Sequence, residues 1–443
     1  MNSKLTQNQD LLLNILKISL YKYPKNINPQ DEKNIGLFYK NLLKDSSVYK
    51  KLINADWNQL ISSADKHGVL SVMYEVLSQV NSICDYNKIT DNSALYIKSV
   101  SQKIVAQNYR LLHMSGYIIN ILNENDIPAI LLKGWHMANY YPIAESRKSG
   151  DIDILIPDTD KFTQTIDILL QNGFYVKSEQ AADYHVELAG EKGIIIEIHS
   201  KLTGDFSDTK INRSLDIIKN EFKFNYLKKQ ILGYTINYAG DAYNAFYLLI
   251  HMLHHFLQSG FGLRLLCDWV VFWNNEISHE DKQKYMHLVK MCKITGFCEA
   301  VTGICIKFLG LDYRKVAFMF EDHAAQQDMS VSEYMHTKKY NNICTEFILE
   351  ILESEEFGKS SDERLVALRN SKPSAYIKEF HHQMKLNHPK SSKCPLLWPF
   401  LWIVTLYVFM KNNRNIRKTS TKKVLKSAAI RGKIVNKMNL FKR

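Results

Sequence analysis

Residues 147–157 read RKSGDIDILIP, and from Asp151 to Ile154 acid and isoleucine alternate at every step. A period of two fits a β-strand and excludes a helix, and Pro157 stops the run. Asp151 and Asp153 therefore project from one face of the strand, while Ile152 and Ile154 turn to the opposite layer. Carboxylates set in an apolar run cost free energy unless a proton or a cation compensates them, so the fold has to supply a partner. A solvated strand edge with Arg147 and Lys148 paired to the acids is the simpler alternative.

A second run, GIIIEIH, repeats the pattern at 193–199, with Glu197 and His199 on one face and Ile196 and Ile198 on the other. It is preceded by YHVELAG and the turn residues GEKG, which together signal a hairpin. Three carboxylates on adjacent strands repel one another, and hard divalent cations offset that repulsion. The expected cofactor is Mg²⁺, two ions, with Mn²⁺ as the alternative, an arrangement suited to in-line displacement at phosphorus. Glu197 has a simpler reading too, as a hairpin acid paired with Lys192 or Lys201.

Upstream, IPAILLKG is a short apolar run ended by Gly134, where a strand-to-helix turn permits close approach of an anion. Lys133 and Arg147 add positive charge there. Residues 127–200 thus read β-α-β-α-β-β, a small mixed sheet, with GYTINYAG as a last strand before long helical spacing from Ala242 to about Phe320. Residues 8–125 carry helical periodicity. The expected division is a helical region at 1–125, a core at 126–240, a helical region closing the cleft at 241–352, polar loops and an apolar helix at 353–410, and a basic tail at 411–443.

A glycine turn, a D-x-D strand and a third acid on a nearby strand resemble the nucleotidyltransferases of the DNA polymerase β superfamily. More closely, the order LLKG, YYP, RKSGDIDILIP, HVEL and IEIH, followed by LLIHMLHHF and LRLLCDW, is similar to a bacterial family of uncharacterised nucleotidyltransferases often found in surface-polysaccharide gene neighbourhoods. The resemblance covers roughly residues 100–275. It implies an α+β fold, a small mixed nucleotidyltransferase sheet flanked by α-helical N- and C-terminal regions. It also implies transfer of a nucleotidyl group from an NTP to a hydroxyl, phosphate or protein acceptor. Asp151, Asp153 and Glu197 would be the catalytic metal ligands, Lys133, Gly134, Arg147 and Gly150 the nucleotide-binding set, and His199 and His255 would line the cleft. Trp135 stands where the superfamily commonly has Gly or Ser, which supports the alternative of an inactive binding or membrane-peripheral scaffold.

His251, His254 and His255 share one helix face, either as zinc ligands or, since no H-E-x-x-H acid accompanies them, as a packed wall. Arg264 and Asp268, four apart, read as an intrahelical ion pair. The net charge of +12 resides in the tail, where residues 411–443 hold twelve Lys or Arg and no acid, leaving 45 basic against 45 acidic residues elsewhere. The core therefore carries no strong nucleic-acid signal, and the tail is expected either on an anionic membrane surface, near nucleic acid, or in solvent. The sixteen apolar residues from Pro395 to Met410 are short for a membrane crossing and read as a buried helix. Seven scattered cysteines without a C-x-x-C pair give no disulfide framework, and MNSKLTQNQD does not resemble a signal peptide. A reducing cytoplasm is expected, or the periphery of the inner membrane face.

Overall fold

The computed structural model describes residues 4–22, 32–45, 47–84, 89–177, 184–190, 193–206, 208–258, 260–354, 394–415, 421–438 and 440, with isolated positions between 381 and 391. The expected polar loops at 353–364 and 387–395 lie largely outside these residues.

Alternation builds the sheet. Strands β1 (Ile130–Leu131), β2 (Asp151–Leu155), β3 (Tyr175–Val176), β4 (His185–Ala189), β5 (Ile195–His199), β6 (Tyr226–Ile231) and β7 (Tyr234–Ala239) lie in the order β3-β4-β5-β2-β1-β7-β6. Pairs β2/β5 and β1/β7 are parallel and the other four antiparallel, so the sheet is mixed, as expected. Strands β3 and β6 add to the predicted set. Tyr226–Ile231 is mostly exposed and carries Lys228, Lys229 and Gln230, so it shows no apolar alternation. The positive φ values of Leu232 and Gly233, +49° and +87°, close its two-residue turn into β7.

Numbering the described helices of ten residues or more gives α1 (Gln7–Ser19), α2 (Glu32–Asp45), α3 (Trp57–Lys66) and α4 (Asp91–Glu124) before the sheet. Within it come α5 (Phe162–Gln171) and α6 (Thr209–Phe222). After it follow α7 (Asp241–Gln258), α8 (Leu263–Trp273), α9 (His279–Met291), α10 (Thr295–Leu309), α11 (Lys338–Ser354), α12 (Trp398–Asn415) and α13 (Thr421–Lys437). Ile152, Ile154, Ile196 and Ile198 are buried in one cluster with Leu111, Leu112, Ile118 and Leu122 of α4 and Leu169 of α5, so this apolar face of the sheet is covered by helices. The other face carries the acids and meets α7. A larger cluster runs from Leu12 and Leu16 of α1 through α7, α8 and α10 to Val435 of α13, so the first and last helices share one core.

Two C-terminal expectations change. The tail contains α13, which docks on α11: Arg431 is buried and its Nε meets Glu350 Oε1 at 2.7 Å, while Ile434, Val435, Met438 and Leu440 enter the core. Most of the apolar run at 395–410 does form a helix, α12, but among its described side chains only Leu401 and Thr405 are buried, while Phe400, Ile403 and Tyr407 are 65%, 68% and 64% exposed. None of the described helices is long and apolar enough to cross a membrane. All seven cysteines are free.

The segment entering β2 is fixed from three sides. Asn108 of α4 donates its amide to the carbonyls of Glu145 and Arg147 at 2.7 and 2.8 Å, and Ser71 donates to the Ser146 carbonyl at 2.6 Å. Arg147, 1% exposed, forks onto Asp268 of α8 through Nε and Nη2 at 2.7 and 2.8 Å, and Tyr141 donates to the same carboxylate at 2.7 Å. Asp268, expected to pair with Arg264 within one helix, instead takes its fork from an arginine 121 residues away. Arg264 Nη1 donates to the Lys148 carbonyl at 3.2 Å, which adds a further tie to the same segment. Removing Asp268 strands a buried guanidinium, so Asp268→Ala is expected to lower the unfolding free energy by about 3–5 kcal/mol in urea denaturation. Replacing both partners, Arg147→Met with Asp268→Leu, should recover most of that loss; a single variant that unfolds at the wild-type midpoint would refute the anchoring role.

Candidate active site

Register decides which side chains meet. On the parallel pair β2/β5, Asp153 lies beside Glu197 and Leu155 beside His199; on the antiparallel pair β4/β5, Glu187 lies beside Glu197 and His185 beside His199. Two rows therefore cross the face opposite the isoleucines, one of acids and one containing two imidazoles. Sequence reasoning identified Asp153, Glu197 and His199 but missed His185 and Glu187, although HVELA carried the same alternation.

Asp153 is 6% exposed and has two cationic or donor partners. Lys133 Nζ meets Oδ2 at 2.9 Å, and His199 Nε2 lies 3.2 Å from Oδ1 and 3.3 Å from Glu197 Oε2. Burial pushes the Asp153 carboxyl up, but Lys133 and His199 outweigh it and hold the group well below the usual carboxylate range. Asp151 behaves oppositely: the charge of Asp153 first, and burial second, raise its pKa. His199 is kept protonated above its ordinary range by hydrogen bonds to Asp153 and Glu197, against the opposing effect of burial.

Helix α7 closes the floor. Lys133 Nζ reaches His251 Nε2 at 2.9 Å, and because an ammonium only donates, His251 accepts and is neutral. Burial and then Lys133 depress the His251 pKa well below its ordinary value. His255 Nε2 lies 3.0 Å from His251 Nε2, which puts His255 behind His251. His254 turns aside to the rings of Tyr184 and Phe206, so the three histidines form a packed wall. Among the described residues, His185, Glu197 and His199 each bring one ligand atom within 4.8 Å of the others.

The phosphate-turn residues divide. Gly134 has φ +75°, a conformation that favours glycine, and leads into the short helix Trp135–Ala138, which has one turn. Trp135 points away from the acids: it is buried beside Leu131 and Ala138, and its Nε1 donates to the Asn108 carbonyl at 2.8 Å. Its size is explained by that second core, not by the phosphate turn. Gly150 is exposed, and a Cβ there would meet nothing within 4 Å. Arg147, expected at the triphosphate, is committed to Asp268.

Carboxylates on neighbouring strands, faced by a lysine and imidazoles, thus gather on one face of the sheet. A family profile described as uncharacterised nucleotidyltransferase matches residues 54–310, more than half of the chain, and the chain belongs to that family of enzymes. No curated protein matches it. Among solved structures, an antigenic nucleotidyltransferase-like protein from Paracoccidioides brasiliensis aligns over 43% of this chain and 92% of its own, at 13% identity and a TM-score of 0.27, a likeness too slight to carry an argument.

Burial first, then the charges of Lys133, His254 and Arg264, lower the His255 pKa to about 3, with Asp153 opposing them. Above about pH 6.5 the residue is neutral in both folded and unfolded chains. Below that, the unfolded chain binds a proton that the native state refuses, so stability falls as pH falls. At pH 5 His255 alone should account for about 2 kcal/mol of lost stability, and His255→Gln should flatten the dependence of the melting temperature on pH between 7 and 5. Parallel pH profiles for variant and wild type would show that His255 is not held neutral.

Proposed function

We propose that the chain transfers a nucleotidyl group from an NTP to an acceptor oxygen at the Asp151, Asp153 and Glu197 cluster. The observation that carries this reading is the β2/β5 register, which places Glu197 beside the D-x-D strand on its acid face. The repulsion that raises the Asp151 pKa is the signature of a carboxylate pair lacking enough positive charge, and it fits a divalent cation. Asp151 and Asp153 would hold Mg²⁺, or Mn²⁺, in this reading, with Glu197 serving a second ion. The bound cations would neutralise phosphate charge and polarise the reacting oxygens.

The chain's own residues do the rest. Lys133, poised between Asp153 and His251, turns to the triphosphate once Asp153 is otherwise compensated, and Gly134 allows its backbone close to the phosphates. Glu197 accepts the acceptor's proton as that oxygen bonds to the α-phosphorus and the bond to the departing pyrophosphate breaks. His199 holds Asp153 and Glu197 in register. Arg147 acts from a distance, by fixing the entry to β2. Gly150 leaves the approach to Asp151 open. Of the two features behind the scaffold alternative, Trp135 and the concentration of net charge in the tail, the first has a packing explanation, since Trp135 is buried with the α4 cluster. A hydroxyl or phosphate acceptor in surface-polysaccharide synthesis is supported by the family resemblance alone.

A second observation favours an anionic bilayer surface as partner, outside the family match. Leu396, in the turn just before α12, and Phe400, Ile403, Tyr407 and Met410 on it recur at spacings of four and three and are all exposed, and twelve basic residues with no acid follow from Lys411. An apolar stripe flanked by basic charge suits the interface of a negatively charged membrane. The helix α12 carries the contact in this reading, since Ala428, Ile434 and Val435 of α13 are buried.

Calorimetry should show NTP binding that requires Mg²⁺, abolished by Asp151→Asn with Asp153→Asn while circular dichroism is unchanged. Lys133→Ala should lower kcat/KM by roughly 100-fold or more. A wild type that binds neither Mg²⁺ nor NTP would end the nucleotidyl reading. Phe400→Glu with Ile403→Glu should abolish pelleting with phosphatidylglycerol vesicles; pelleting at the wild-type level, or loss only of a concentration-dependent dimer, would overturn the membrane contact.

A further inference from the structure

The imidazoles on β4 and β5 are more than a support for the acids. His185 is 9% exposed, and among the described residues its buried Nδ1 has no hydrogen-bond partner, while the carboxylate oxygens Glu187 Oε1 and Glu197 Oε2 lie 3.9 and 4.0 Å from its Nε2. Those separations are too long for a hydrogen bond. Zinc bonds to imidazole nitrogen and carboxylate oxygen are about 2.0–2.2 Å long, so donors sharing one ion stand about 3.4–4 Å apart. One ligand atom from each of His185, Glu197 and His199 falls within 4.8 Å of the other two, and Glu197 Oε2 lies 3.3 Å from His199 Nε2 and 4.0 Å from His185 Nε2.

Packing holds both rings in place. The Tyr184 ring lies 4.5 Å from that of His185 and 5.9 Å from that of His199, and His254 of α7 backs Tyr184 at 5.8 Å. A Cβ at Gly204 would stand 3.0 Å from both His254 Cε1 and Tyr184 Cε1, so the glycine lets this layer close. The two histidines face each other across the β4/β5 ladder at 5.3 Å between ring centroids. Their donor atoms are therefore set by backbone pairing and do not depend on a loop.

We propose that His185, Glu197 and His199 form a site for a borderline divalent transition metal, Zn²⁺ first, beside the oxygen-only position at Asp151 and Asp153, with His199 exchanging its proton and its hydrogen bond to Asp153 for the ion. Two imidazoles and one carboxylate match Zn²⁺, whereas Mg²⁺ demands oxygen ligands and keeps its waters. Glu187, next to Glu197 in the register, borders the set, its Oε1 3.9 Å from His185 Nε2. The proposal deepens the nucleotidyl reading, because Glu197 would then serve its acceptor-side role from a zinc-type centre, but the metal set itself does not depend on that reading.

The test uses the full chain after chelator treatment. Titration with Zn²⁺ should show one equivalent bound at least 100-fold more tightly than Mg²⁺, and Co²⁺ should develop visible absorption that Zn²⁺ displaces. With Mn²⁺ in the site, pulsed electron paramagnetic resonance should show coupling to imidazole ¹⁴N. His185→Asn and, independently, His185→Gln should weaken Zn²⁺ binding at least 10-fold and leave Mg²⁺-dependent NTP binding in place. Asp151→Asn should do the reverse, losing Mg²⁺ and NTP while keeping Zn²⁺. Zn²⁺ binding that survives both His185 variants, or Mn²⁺ spectra without ¹⁴N coupling, would overturn the site; loss of NTP binding alone in the wild type would overturn the nucleotidyl reading and leave the metal site standing.

Discussion

One buried carboxylate organises the centre of this protein. Asp153 is ionised with almost no contact with water, and an ion in that setting needs positive charge and hydrogen bonds at close range. Lys133 comes from the end of β1, His199 from β5, and His251 of α7 accepts from the same ammonium. Four elements are therefore tied together by the compensation of a single charge. The arrangement is also chemically unfinished. Asp153 takes the nearest cation for itself and leaves Asp151 with a raised pKa, so the pair still lacks charge when the rest of the site is satisfied.

The approach to that carboxylate is held by a different device. Arg147 and Asp268 close a buried ion pair between the segment before β2 and helix α8, and Tyr141 adds a hydroxyl to it. Ion pairs of this kind seldom add net stability over an apolar replacement, but they discriminate strongly against alternative packings that leave either charge alone. Trp135, in the short helix after Gly134, and Asn108 of α4 do comparable work: the Trp135 Nε1 donates to the Asn108 carbonyl, while the Asn108 side-chain amide donates to two carbonyls of the incoming segment. The acids thus start from a backbone whose position is set by both flanking helical layers.

Period-two patterning made much of this legible. It gave the strand, the face of each acid, the apolar face that α4 covers, and the β4/β5 hairpin. It could not give partners. Asp268 had a plausible neighbour four residues away and took its main contact from Arg147, because a helical spacing reports local proximity and nothing about a chain segment 121 residues distant. The same limit hid the direction of Trp135, which is decided by the cavity between α4 and the sheet. Strand β6 was hidden for another reason: an exposed edge pair buries almost no side chain, so its sequence carries no alternation to read. Helix α6 did leave a signal, with Ile211, Leu215, Ile218 and Phe222 buried at helical spacing, and it went unread. In the tail, composition located the charge correctly, but Arg431 shows that one of its cations is a core residue paired with Glu350.

The site inherits its precision from the constraint that builds the sheet. A slip of one residue between β2 and β5 would turn Ile196 and Ile198 toward α7 and place Glu197 and His199 among the side chains of α4. Both errors are costly at once, since one exposes apolar area to a polar floor and the other buries a carboxylate and an imidazole without partners. Register is therefore enforced from the two faces independently. A β4 strand hairpinned to the same β5 ladder is carried along, which is why His185 and Glu187 arrive beside His199 and Glu197. Side chains delivered in that way are positioned as rigidly as the core itself, and a centre that must present acids and imidazoles together gains its order from the isoleucines on the reverse face.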